Sequence, residues 1–132
     1  MKTFLIACVM LAVVPSMAIA RDALAGSWTA TVTPAEDAAQ AHQKEFKDVL
    51  TFKGNTFTSD ECKKKGFGPM TYEENQQYGL ASTFEAKGKN EKTGESVTWT
   101  GQASANQLKG EMVIKKSDGS ELHFNYQAEK KQ

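Results

Sequence analysis

The sequence predicts an all-β domain, a small antiparallel up-and-down barrel of about seven or eight strands with a short helix after the first; a β-sandwich is the alternative. Three observations carry this. First, from Ser96 to Ala128 the chain alternates apolar and polar residues: Val97, Trp99, Gly101 and Ala103 share one face, as do Leu108, Gly110, Met112 and Ile114, and then Leu122, Phe124, Tyr126 and Ala128. That period of two is the pattern of half-buried strands. Second, the breaks are short, at Asn106 and at Ser117-Asp118-Gly119, as in a meander. Third, strands joined in order by tight turns expose two sheet edges unless the sheet closes, and closure removes both.

The remaining elements follow in order. Trp28, Ala30 and Val32 point one way from a first strand. Thr33-Pro34-Ala35-Glu36 has the form of a helix start, with Thr33 capping, Pro34 at the first helical position and Glu36 three residues after the cap. A short exposed helix from Pro34 to about Gln43 is expected, marginal on its own because it lacks an apolar stripe. Glu45–Lys53 reads as a strand with Leu50 and Phe52 inward, and Gly54-Asn55 as a two-residue hairpin turn. Thr56–Asp60 returns with Phe57 inward. From Glu61 to Gln77 the alternation is lost among lysines, Gly66, Gly68 and Pro69, which is loop composition, with only a weak strand signal at Met70–Tyr72. Gly79–Lys87 is a clearer strand with Leu80, Phe84 and Ala86 inward, and Lys89–Gly94 is a polar turn into the final meander.

Ahead of the barrel, Lys2, the apolar run Thr3–Val14, Pro15 and the small residues of Ala18-Ile19-Ala20 form a signal-peptide pattern with cleavage before Arg21. Residues 1–20 are therefore read as a signal peptide and residues 21–132 as one domain, exported to a periplasm or secreted. An uncleaved anchor is the rival reading of the leader. Cys8 stands too early in the apolar run to be a lipid-modified cysteine. About 112 residues then remain of 132, enough for a single domain. With 16 basic and 16 acidic residues in the whole chain, the mature domain lies near −1 once Lys2 is removed, without the basic excess of a nucleic-acid binder. Nothing after Val14 is apolar enough to span a membrane. Cys62 is the one cysteine left after cleavage, so no internal disulfide is available.

Gly26-Ser27-Trp28 at the head of the first strand resembles the Gly-x-Trp signature of lipocalin-like (calycin) proteins. The resemblance implies an up-and-down barrel closed at one end by Trp28, with a basic side chain from the last strand, here Lys130 or Lys131, lying over it. The helix after the first strand is similar to the lid of the fatty-acid-binding branch. The chain is shorter than a typical lipocalin, which argues against a large cavity. Avidin-type barrels match in length, but they line their site with several tryptophans, and only Trp28 and Trp99 are present here.

Candidate site residues are few. Trp28, Phe84, Trp99 and Tyr126 converge inside a barrel and are the candidate lining of a site for a small apolar ligand, with the strand glycines Gly101 and Gly110 as the places where room is left. The competing reading is that these aromatics fill a solid core. Cys62, in Glu61-Cys62-Lys63-Lys64-Lys65, is the candidate redox or intermolecular thiol, since neighbouring ammonium groups favour thiolate; the alternative is a buried, inert thiol. His42 and His123 read as solvent-facing, and Asp60-Glu61 and Glu73-Glu74 as surface loop carboxylates. No metal-ligand spacing, catalytic triad order or phosphate loop is visible, so neither an enzyme nor a cofactor is expected. The functional expectation is a non-enzymatic exported protein that binds a small apolar ligand or another envelope component. The alternative is an interaction or inhibitor module acting through the 62–72 loop, where Phe67 and Met70 sit among lysines. A monomer is expected, or a dimer linked through Cys62.

Overall fold

A computed structural model describes residues 24–76 and 82–131. The signal peptide, its cleavage site and Leu80 lie outside the described residues. Eight strands follow one another: β1 (Gly26–Pro34), β2 (Phe46–Lys53), β3 (Thr56–Ser59), β4 (Met70–Gln76), β5 (Ser82–Lys89), β6 (Ser96–Ser104), β7 (Gln107–Lys115) and β8 (Glu121–Lys130). Each pairs antiparallel with the next, and β8 returns to β1, so the sheet is a closed barrel and not a sandwich. The odd-to-even connections all fall at one end, here called the upper rim. It carries two short helices, α1 (Glu36–Gln40) between β1 and β2 and α2 (Asp60–Lys64) between β3 and β4.

The inward positions are those marked by the alternation. Trp28, Ala30 and Val32 of β1, Leu50 and Phe52 of β2, Phe57 of β3, and Phe84 and Ala86 of β5 are buried. So are Val97, Trp99, Ala103, Leu108, Met112, Ile114, Leu122, Phe124, Tyr126 and Ala128 of the last three strands. The domain holds itself by this core, because Cys62 is free and buried.

Two expected elements are corrected. The helix after β1 starts two residues later than the Thr33-Pro34 pattern indicates. Thr33 and Pro34 stay extended because they pair with Asn125 and Phe124 of β8. Ala35 takes the cap position without a side-chain bond, and the Thr33 hydroxyl donates instead to Glu45 Oε1 at 3.3 Å. The helix stops at Gln40, and His42 adopts a left-handed φ of 65° past its end. The stretch read as a loop from Glu61 to Gln77 holds α2 and the whole of β4. Strand β4 hides in the sequence because Glu74 occupies one of its inward-alternating positions, beyond Met70 and Tyr72. Consequently Glu74 is a strand residue opposite Phe84, not a surface loop carboxylate.

Gly101 and Gly110 face each other across β6 and β7, and Gly110 also stands opposite Tyr126 of β8. The room they leave is taken. A Cβ on Gly101 would overlap the Tyr126 hydroxyl and lie 2.7 Å from Phe84 Cε1. One on Gly110 would overlap the Thr100 carbonyl oxygen and lie 2.6 Å from Gly101 Cα. The Tyr126 hydroxyl donates to that same carbonyl at 2.9 Å, so the phenol is satisfied inside the wall. Because backbone would have to move, Gly110→Ala is expected to lower stability by roughly 1–3 kcal/mol in urea unfolding. Gly68→Ala, whose Cβ meets nothing within 4 Å, is expected to stay within about 0.5 kcal/mol.

Candidate functional site

The four aromatics expected to line a ligand site do not surround one space. Tyr126 and Trp99 touch edge to face with centroids 5.2 Å apart, Trp99 meets Phe57 at 5.4 Å, and Phe57 meets Phe84 at 5.5 Å. Phe52 closes the run at 4.9 Å from both Phe57 and Phe84. These are packing distances, each pair adding about 0.5–1.5 kcal/mol beyond the area it buries. Trp28 stands at the other side of the core. Its indole N–H donates to the Leu24 carbonyl at 3.0 Å, and Lys130, opposite it in the β1–β8 ladder, lies over the ring at 5.4 Å. The basic residue over the tryptophan is thus Lys130, as the Gly-x-Trp resemblance implies.

Clefts open on the outside of the barrel. One of about 340 Å³ is lined by the outward residues Thr29, Thr31, Lys47, Lys109 and Gln127. A second, of about 360 Å³, shares Gln107 and Lys109 with it and continues across Gln102 and Glu111; a third shares Thr31 and Gln127 and reaches Thr33 and Asn125. Together they form a shallow trough over β1, β8, β7 and β6, walled by hydroxyls, amides and charges of both signs. Alternation explains the chemistry, since the outward residues that wall the trough are polar while the inward ones beneath them are mostly apolar.

At the upper rim α2 is built on a buried carboxylate. Asp48 of β2 accepts the Ser59 hydroxyl at 2.5 Å, the Val49 N–H at 2.8 Å and the Glu61 N–H at 3.1 Å. Ser59 Oγ in turn accepts the Cys62 N–H at 3.1 Å, capping the helix. Burial raises the Asp48 pKa, against the three donors that hold the anion. The cap turns Cys62 inward, and burial pushes its thiol upward too, with partial relief from the Ser59 hydroxyl and the Trp99 indole. Charge from the following lysines does not decide the state of this thiol; desolvation does. Past α2, Phe67 and Met70 are buried, so the 62–72 loop presents Lys63, Lys64 and Lys65 outward without an apolar centre. Asn90, itself buried, ties the loop down by donating to the Lys65 carbonyl at 2.8 Å.

The clasp on α1 was not legible in the sequence, because its partners lie 86 residues apart. Asp37 Oδ1 accepts the His123 backbone N–H at 3.0 Å, and Oδ2 meets His123 Nδ1 at 2.6 Å, with Glu121 3.6 Å from Nε2. His123 does face solvent, as expected, but it is paired. The Asp37 hydrogen bond raises the His123 pKa, and the His123 ring and N–H hold Asp37 below the usual carboxylate range. The ion-pair contribution is therefore complete below about pH 6.5 and is lost as pH rises through the raised histidine value; it is lost again in acid as Asp37 protonates. An NMR titration should place His123 above the ordinary histidine value, and Asp37→Asn should bring it back down; an unchanged midpoint in the variant would disprove the clasp.

Burial also sets an expectation for Cys62. The folded chain should resist a thiol reagent and run as a monomer on a non-reducing gel, whereas denaturant should expose one reactive thiol. Rapid labelling of the folded protein would contradict the placement of its sulfur.

No known family model, curated protein or solved structure matches the chain, so its closed eight-stranded up-and-down barrel, calycin-like in architecture, is the extent of the likeness established here.

Proposed function

We propose that this chain is an exported, lipocalin-like, non-enzymatic binding protein that engages another envelope component with the outside of its barrel. One observation carries the reading: the space that barrels of this size use for a ligand is occupied by the chain's own side chains. Barrels of about eight strands have interiors just wide enough for side chains or one small ligand, and here the rings of Phe52, Phe57, Phe84, Trp99 and Tyr126 are in mutual contact. The two glycines that would have opened room in the wall accommodate Tyr126 and a neighbouring backbone instead.

The outer trough supports the same reading. It offers hydroxyls and amides in both donor and acceptor roles, and Lys47 is already held in place by donating to Thr31 Oγ1 at 2.7 Å. Such a surface suits a polar partner more than an oily one. The 62–72 loop is a weaker contact candidate, since burial of Phe67 and Met70 removes the apolar anchors that commonly dominate interfaces.

The test has two arms. Anilinonaphthalene sulfonate and a fluorescent fatty-acid analogue should show no saturable binding to the folded protein. Native mass spectrometry of protein drawn from its own compartment should show the bare chain or a polar or protein partner. Stoichiometric probe binding, or a co-purifying apolar small molecule, would overturn the proposal.

A further inference from the structure

Strand β4 outruns β3. Their register holds only Met70 with Phe57 and Thr71 with Thr56, and Tyr72 adds a last bond by donating its backbone N–H to the Asn55 carbonyl at 3.1 Å. Past the Gly54-Asn55 turn, β4 continues to Gln76 with only β5 beside it among the described strands. The barrel closes through the upper part of β4 and leaves the length from Glu73 to Gln76 as an open edge.

The polar groups along this edge point in known directions. An antiparallel strand turns its backbone N–H and C=O groups alternately to one neighbour and to the other. Tyr72 directs its N–H toward the β3 side, so Glu74 and Gln76 direct theirs the same way. Glu73 and Asn75 face β5 instead, and the Thr83 hydroxyl on that strand donates to the Asn75 carbonyl at 3.3 Å. Among the described residues no strand or loop bond reaches the Glu74 and Gln76 backbone from the outer side. The side chains of Glu73 and Asn75 are exposed, as are Gly54 and Asn55, whose turn stops short of the edge. An unpaired strand edge of this kind is a template for one more strand.

Outward side chains decide which strand fits. Glu73 stands opposite Glu85, Glu85 opposite Thr100, and Thr100 opposite Glu111, so this row across β4 to β7 carries glutamates and no cation. Glu73 and Glu85 are directly opposed like charges, which is unfavourable. No ion pair reaches either one among the described residues. Lys87 and Lys53 lie one row further up, opposite Thr71 and Thr56. The next place in the Glu73 row, on the side away from Glu85, belongs to whatever strand fills the edge. A lysine or arginine placed there meets the glutamate directly.

We propose that the open edge of β4 docks an extended, basic segment of another protein, which adds to the sheet as a further strand. Main-chain bonds to Glu74 and Gln76 provide the attachment, and the glutamate row selects basic side chains. A helical partner cannot substitute, because its backbone groups are already spent on its own turns. The trough lies over β1 and β6 to β8, so the edge on β4 is a separate surface and does not depend on the trough's partner.

Amide exchange followed by NMR tests this on the folded chain. Without a partner, the N–H groups of Glu73 and Asn75 should exchange slowly and those of Glu74 and Gln76 quickly. Slow exchange at both Glu74 and Gln76 would mean that the edge is already filled, and would overturn the proposal. The probe is a blocked peptide of about six residues, the length of an ordinary strand, alternating threonine with lysine. It should shift the resonances of residues 73–76 saturably and protect Glu74 and Gln76, whereas a peptide with glutamate in place of lysine should not bind. Gln76→Pro removes an edge N–H that β5 does not use, so it should keep the thermal midpoint and abolish binding. Glu73→Lys should weaken the lysine peptide about threefold and let the glutamate peptide bind. Equal binding of the two peptides by the unaltered chain, no saturable shift, or undiminished affinity in Gln76→Pro would each overturn the site. A concentration-dependent dimer that protects the same amides would assign the edge to a second copy of the chain, and so overturn it as well.

Discussion

Closure of β8 onto β1 is the constraint on which the rest of the molecule depends. Seven opposed residue pairs, from Trp28 with Lys130 to Pro34 with Phe124, join the first strand to the last. With no disulfide among the described residues, these long-range pairings and the core beneath them hold the two ends of the domain together. The closure also sets the local chemistry. It keeps Thr33 and Pro34 extended and so delays α1, it lays Lys130 across Trp28, and it brings His123 within reach of Asp37. Loosening one of these contacts should therefore be felt at the others, since all three share the same seam.

The two rims of the barrel do different work. At the upper rim the connections are long, and each is held by a polar device: α1 by Asp37 on His123, α2 by Asp48 and Ser59, and the 65–69 segment by Asn90. Asp48, Ser59 and Asn90, buried there, are each hydrogen-bonded, which is what a stable cover over an apolar interior requires. Among the described residues the lower rim turns tightly at Gly54 and Ala105, each with a left-handed φ.

Most of the fold was legible because alternation is a local property. The final meander, β1, β2 and β5 put apolar residues at most of their inward positions, and the described inward faces are as read. What escaped was set by contacts between distant residues. Helix α2 is invisible in its own composition because half of its cap comes from Asp48, on a different strand. Strand β4 escaped because inward positions ordinarily signal by being apolar, and one of its inward positions is a carboxylate. Cys62 shows the same limit: neighbouring lysines in sequence suggest a reactive thiolate, yet burial against Ser59 and Trp99 governs its chemistry. The Lys130 placement over Trp28 was reached through a resemblance carried by three residues, not through periodicity.

Strand β4 pairs with β3 only at Met70 and Thr71 but runs along β5 to Gln76, and this overhang bears on how molecules of this protein meet each other. A closed barrel ordinarily offers no free sheet edge, but past Tyr72 no described strand pairs with the outer side of β4. That leaves a short length of backbone able to recruit an extended segment from a second molecule. Glu73 and Glu74 set two negative charges along this length, and two copies brought edge to edge there would face like charge with like. Like charge along this length thus works against pairing of two copies at that edge.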